Sequence, residues 1–222
     1  MTGGMSGNYI AYKSTELVSY DRATGHLEVT PATNLTIAML GHCITRLNST
    51  HVFLGGGNTN KAYLFDERKE VFTELPHLKK KRMRAACSVV QYEDGDDING
   101  TVIMMVGGSS NFDETTYSTT EIIEIPSFSN WKFGPRIDID SGWSNGGYAT
   151  YTEVMNRNLF VLISGSGLNH VQHEYMYWYD EKRKTFSHLP KPLVYGRDYP
   201  SIAVIPSGEI DCNKTDILET LL

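Results

Sequence analysis

The chain has 222 residues, 40% of them hydrophobic and 21% charged, with a formal net charge of −6. That length allows one large domain or two small ones, and the balance is that of a folded globular protein rather than a disordered one. No apolar run is long enough to span a bilayer, and the acidic balance argues against non-specific nucleic-acid binding, which needs a basic face.

The first element is the N-terminal segment MTGGMSGNYI, which has no charged start followed by an apolar stretch, so no signal peptide is visible. Its Gly3-Gly4 pair precedes LVSYDRATGHLEVTP, residues 17–31, where polar turn formers separate two strand-like runs: an antiparallel hairpin. Two further runs, HCITRL and HVFLG, lead to Gly55-Gly56, and the hairpin AYLFDERKEVFTELP follows. The same order returns with ACSVVQY and TVIMMVG, which ends on Gly107-Gly108, before IIEIPSFSNWKFGP. It returns once more with GGYATYTEV and LFVLISG, closing on Ser164-Gly165, then YWYDEKRKTFSHLP.

Each hairpin ends on a proline (Pro31, Pro76, Pro135, Pro190) with a large residue four positions earlier: Leu27, Phe72, Trp131 and Phe186. Another bulky residue stands seven before that in three of them, at Tyr20, Phe65 and Tyr179. In the third unit Ile125 stands six before Trp131, which reads as one residue lost from the turn. The prolines are expected at the ends of outermost strands, where a missing N–H does no harm. Gly4, Gly56, Gly108 and Gly165 lie 52, 52 and 57 residues apart. A period near fifty with four short strands per unit is a repeat pattern, and the fold class it predicts is all-β. An apolar strand buried on both faces that stops on two glycines predicts a corner, since glycine permits positive φ and close backbone approach.

The glycine doublets, the Tyr-Asp style third strand and the aromatic that follows resemble kelch repeats over roughly residues 1–206. The resemblance implies a kelch-type β-propeller of about four blades of four antiparallel strands, in units near 1–38, 39–83, 84–140 and 141–196. Its motif residues would be Gly3, Gly4, Gly55, Gly56, Gly107, Gly108, Gly165, Tyr20, Phe65, Tyr179, Phe72, Trp131 and Phe186. SIAVI at 201–205 then reads as the first strand of a further blade, and 207–222 as a tail. Two readings stay open: the last strands complete the unit begun at the N-terminus, or the chain is part of a longer, six-bladed ring.

Several constellations could carry chemistry. The run Lys79-Lys80-Lys81-Arg82-Met83-Arg84 is read as a solvated loop, with nuclear import or phosphate binding as the alternative. The acidic stretch EDGDDING at 93–100 lacks the spacing of a calcium loop. HVQHE at 170–174 offers two histidines but no identifiable third and fourth zinc ligand, and ISGSG at 163–167 lacks the helix that a serine nucleophile elbow requires. Cys43 and Cys87 occupy equivalent strand positions and read as two core thiols. A bridge between neighbouring units, or one from Cys212, is the alternative and would need an oxidising compartment. Sequons place candidate N-glycosylation at Asn34, Asn48, Asn99 and Asn213.

The function expected from this resemblance is non-catalytic: a propeller that binds another protein through the loops at 57–61, 109–119 and 166–174, with no cofactor. Glycan binding outside the cell is one alternative. A copper enzyme similar to galactose oxidase is another, although none of the seven histidines is identifiable as a ligand. The compartment, cytoplasmic or extracellular, is left open, and extracellular is favoured if the chain is part of a secreted protein.

Overall fold

A computed structural model describes residues 2–8, 10–94, 98–111, 115–139, 141–154, 157–188 and 192–200. Pro190, the 201–205 strand, Cys212, Asn213 and the 207–222 tail lie outside that set. The described chain is all-β apart from one 3₁₀ turn at Leu168–His170. Its first sheet has two strands, β1 (Thr15–Asp21) and β2 (His26–Ala32). A second sheet runs β3 (His42–Arg46), β4 (His51–Gly56), β5 (Ala62–Asp66) and β6 (Val71–Leu75). The third comprises β7 (Ala86–Asp94), β8 (Ile98–Val106), β9 (Thr120–Glu124) and β10 (Lys132–Phe133). The fourth comprises β11 (Gly147–Val154), β12 (Arg157–Ile163), β13 (Met176–Asp180) and β14 (Thr185–His188). Every neighbouring pair is antiparallel and every sheet is a meander in chain order.

Strand β8 shows how the sheets are held together. Val102 through Val106 are all fully buried. Because side chains alternate across a strand, Val102, Met104 and Val106 enter a core shared with Ile122, Trp143, Phe160 and Leu162. Ile103 and Met105 enter another, with Phe53, Ala62, Ile123 and Trp131. The third sheet is therefore packed on both faces, and β7 touches β3 on one side and β11 and β12 on the other. An apolar run with no polar alternation is what such a strand requires.

The hairpin pairs seven residues apart are direct cross-strand partners: Tyr20 with Leu27, Phe65 with Phe72, and Tyr179 with Phe186. The rings of Phe65 and Phe72 sit 4.5 Å apart, and those of Tyr179 and Phe186 5.3 Å apart. The third hairpin differs from the expectation. Ile122 faces Lys132, so the ladder extended by one residue sets Trp131 against Ile123 rather than Ile125. A residue has been gained in that connection, not lost. Trp131 is buried and donates its indole N–H to the carbonyl of Pro76, just past the last strand of the second sheet, at 2.8 Å. Pro31 lies within β2 next to its last residue, while Pro76 directly follows β6.

Two further readings need correction. The positive-φ pair in the second unit is Gly56-Gly57, both at +77°, not Gly55-Gly56. Gly55 continues β4, and a Cβ there would run into the Phe53 ring. Cys43 and Cys87 are not free thiols: they form a disulfide, Cα to Cα 5.9 Å, that ties β3 to β7 across two sheets.

Candidate functional site

Four backbone corners recur along the chain. They are Gly3-Gly4, Gly56-Gly57, Gly107-Gly108 and Ser164-Gly165, and all eight residues have positive φ. In each corner the second residue donates its N–H to a carbonyl further along the chain, and in the first three corners that carbonyl lies in the segment entering the next sheet. Gly4 bonds Met39 at 2.9 Å, Gly57 bonds Arg82 at 2.9 Å, Gly108 bonds Trp143 at 2.7 Å and Gly165 bonds Arg197 at 2.9 Å.

Two residues beyond each acceptor stand Gly41, Arg84, Asn145 and Tyr199. These four share a positive φ, of +63°, +57°, +58° and +53°. They are also bonded in series: Arg84 N–H to the Gly41 carbonyl at 2.6 Å, Asn145 N–H to that of Arg84 at 3.3 Å, and Tyr199 N–H to that of Asn145 at 2.7 Å. Residues scattered over 158 positions of sequence thus form one belt. Glycine adopts this conformation freely and asparagine tolerates it, but for Arg84 and Tyr199 it is strained. Strain of this sort persists only where the surroundings over-determine it, and it concentrates at functional sites.

The belt lines a cleft of about 440 Å³, whose walls include His42, Arg84, Asn145, Tyr148 and Tyr199. The Arg84 guanidinium lies 5.3 Å from the centre of the Tyr199 ring. Burial pushes the His42 imidazole down to about 4, so it is neutral at physiological pH. Burial likewise raises the Tyr148 phenol, whose O–H donates to Sγ of Cys43 at 3.0 Å. Two side-chain atoms of the cleft walls, Nδ1 of His42 and Oδ1 of Asn145, are buried without a hydrogen-bond partner among the described residues. Buried polar groups are normally satisfied.

The segments singled out in the sequence fall elsewhere. Arg82, in the basic run, is fully buried rather than solvated. Its Nε donates to Glu121 at 2.9 Å, its Nη1 to the carbonyls of both Gly107 and Thr119, and its Nη2 to the Thr119 hydroxyl. Glu121, also fully buried, accepts the amides of Lys79 and Lys80. Ser164 Oγ lies 2.8 Å from the carbonyls of both His173 and Arg197, pinning backbone. His173 Nε2 is 2.9 Å from the Gly142 carbonyl, and the described residues contain no cluster of three His, Cys, Asp or Glu able to hold a metal. The acidic 93–100 side chains fall outside the described set except for Gly100. Of the sequon asparagines, Asn34 and Asn48 are exposed; the side chains of Asn99 and Asn213 lie outside the described set.

The loops expected to make contacts are tied down in part. Asn58 exchanges bonds with Leu40 and Ala38, and Ser109 pairs with Met83. Leu168 and Val171 in the third loop are exposed. Sequence reasoning passed over His42, Asn145, Tyr148 and Tyr199. The one signal that could have found the belt is its constant two-residue offset from the carbonyls bonded by the corners, and that offset exists only once the chain is folded.

No family model matches the sequence, and no curated protein matches it. Among solved structures, 161 chains match in fold, which places the architecture among known ones. One of them, described as "Structure of YjhT", superposes with a TM-score of 0.64 at 13% identity, over 89% of this chain. The chain spans 66% of the length of that protein. A likeness at so low an identity speaks to the fold alone.

No helix among the described residues is long and apolar enough to cross a membrane.

Proposed function

We propose that the chain is a run of kelch-type β-propeller units acting as a non-catalytic module that binds another protein, with the ligand seated in the cleft of His42, Arg84, Asn145, Tyr148 and Tyr199. The propeller reading draws on the corner hydrogen bond, which repeats at four places with one geometry. The functional reading rests on one observation: Nδ1 of His42 and Oδ1 of Asn145 are buried in the cleft walls and unpartnered. A ligand donating to Asn145 Oδ1 and pairing with His42 Nδ1, as donor or acceptor according to its tautomer, would satisfy them, and Arg84 adds a charged, aromatic-backed contact.

The test compares three immobilised proteins: the native chain, an Arg84→Ala/Asn145→Ala double variant, and a chain with residues 109–119 replaced. Partners lost by the double variant, at unchanged melting temperature, support the cleft. Partners lost only on loop replacement move the contacts to the loop, and stoichiometric bound copper would argue for an enzyme instead. A second reading, glycan binding, is favoured by the two tyrosines beside neutral polar groups in the cleft. It predicts retention on a glycan array that the double variant abolishes.

A further inference from the structure

We propose that Asn48 carries an N-linked oligosaccharide, attached in the same oxidising compartment that closes the Cys43–Cys87 bridge. Two independent observations meet on one hairpin. The first is the bridge itself. Cys43 and Cys87 are both buried, and the disulfide links residues 44 positions apart. It forms when the two thiols exchange with a disulfide donor, passing on two electrons and two protons so that the donor leaves as two thiols. Structural bridges of this kind persist where the environment is oxidising and are rare in the cytosol.

The second is the geometry of Asn48-Ser49-Thr50, the tip of the β3–β4 hairpin. Asn48 is exposed. Its Oδ1 accepts the Thr50 and His51 amides, both at 2.9 Å, and lies 3.1 Å from the Thr50 hydroxyl. The carboxamide oxygen is thus turned into the hairpin, leaving the nitrogen on the opposite side. In the transfer, C1 of a sugar carried on a lipid pyrophosphate loses its bond to phosphate oxygen and gains one to Nδ2. Nδ2 gives up one proton, and the lipid pyrophosphate leaves. Asn34 offers a poorer site: its Oδ1 accepts the Thr15 amide, Leu35 is buried and the Thr36 hydroxyl is 2.7 Å from that of Tyr63.

Topology says what such a glycan would leave alone. β3 (His42–Arg46) begins in the cleft wall and runs away from it, and Asn48 lies in the turn two residues past its far end, so the strand alone, at roughly 3.3 Å per residue, puts about 13 Å between them. An oligosaccharide there shields that end and keeps the cleft open, so the proposal stands whatever the cleft binds.

The experiment is mass spectrometry of the protein purified from its natural source. One sample is alkylated without reduction; another is treated with an amide-cleaving glycosidase in heavy-oxygen water. Expected are a fall in intact mass, conversion of Asn48 to heavy-labelled Asp, and a linked Cys43–Cys87 peptide with neither thiol alkylated. An unmodified Asn48 peptide overturns the glycan site, and alkylated Cys43 and Cys87 overturn the compartment.

Discussion

At the scale of single residues, the corners set the strictest conditions. A Cβ on Gly107 would meet the Trp143 carbonyl, and one on Gly108 would lie 2.9 Å from the carbonyl of Met83. Both residues also have positive φ, +65° and +84°. Gly107→Val should therefore cost at least the 1–3 kcal/mol or so of a forced left-handed backbone, with the clash added, as measured by urea unfolding. Gly100→Ala, where a Cβ meets nothing within 4 Å, should stay within about 0.5 kcal/mol. His42 makes a pH-dependent contribution of defined sign. Its folded value of about 4 lies below the ordinary 6.5, so the unfolded chain binds more protons between those limits. Stability from this group is complete above pH 6.5 and is lost as pH falls toward 4, by up to about 3 kcal/mol. Unfolding at pH 7.5 and pH 5 should show the loss in the native chain and less of it in His42→Gln. The corner glycines were legible because that residue type announces the conformation. The second doublet was misplaced by one because three glycines stand in a row, and only folding decides which of them extends β4. Arg84 and Tyr199 gave no such notice, since neither type favours positive φ.

At the scale of elements, hairpins were the most readable part of the molecule. Turn formers between bulky residues gave three of the four cross-strand pairs, and the third-unit pair slipped because a residue lost and a residue gained cannot be told apart without the partner strand. What joins one element to the next was less visible. The Cys43–Cys87 bridge and the Trp131 bond to Pro76 both connect sheets, and both link residues tens of positions apart. Closing a loop of that length removes enough freedom from the unfolded chain that Cys43→Ala/Cys87→Ala should lose about 2–4 kcal/mol. Trp131→Ala should lose about 3–5 kcal/mol, since it vacates a core that Phe53 shares with its ring centre 5.9 Å away. Thermal unfolding of each variant against the native chain measures both, and an unchanged midpoint for the cysteine pair would mean that the sheets hold without it.

At the scale of the whole molecule, stability is distributed unevenly, and the distribution bears on how the sheets are arranged. The stacking was legible in outline, since a strand apolar on every residue asks for cover on both faces. The cleft was not, because its walls come from entry segments with no shared residue type. The first sheet stands apart from the others. It has two strands where they have four, and Val18, Tyr20, Leu27 and Val29 are 46–62% exposed. In the second and fourth sheets the residues at matching hairpin positions, Phe65, Tyr179 and Phe186, are buried. Amides with few buried neighbours exchange by local opening, whereas those in a packed core exchange only on global unfolding. Hydrogen exchange of the chain should therefore find β8 among the slowest elements and β1–β2 among the fastest. If β1–β2 instead exchanges as slowly as β8, further strands must pair with β1 and cover those four side chains, as closure of a ring requires. Fast exchange leaves that edge open to strands from beyond the described residues or from a longer chain.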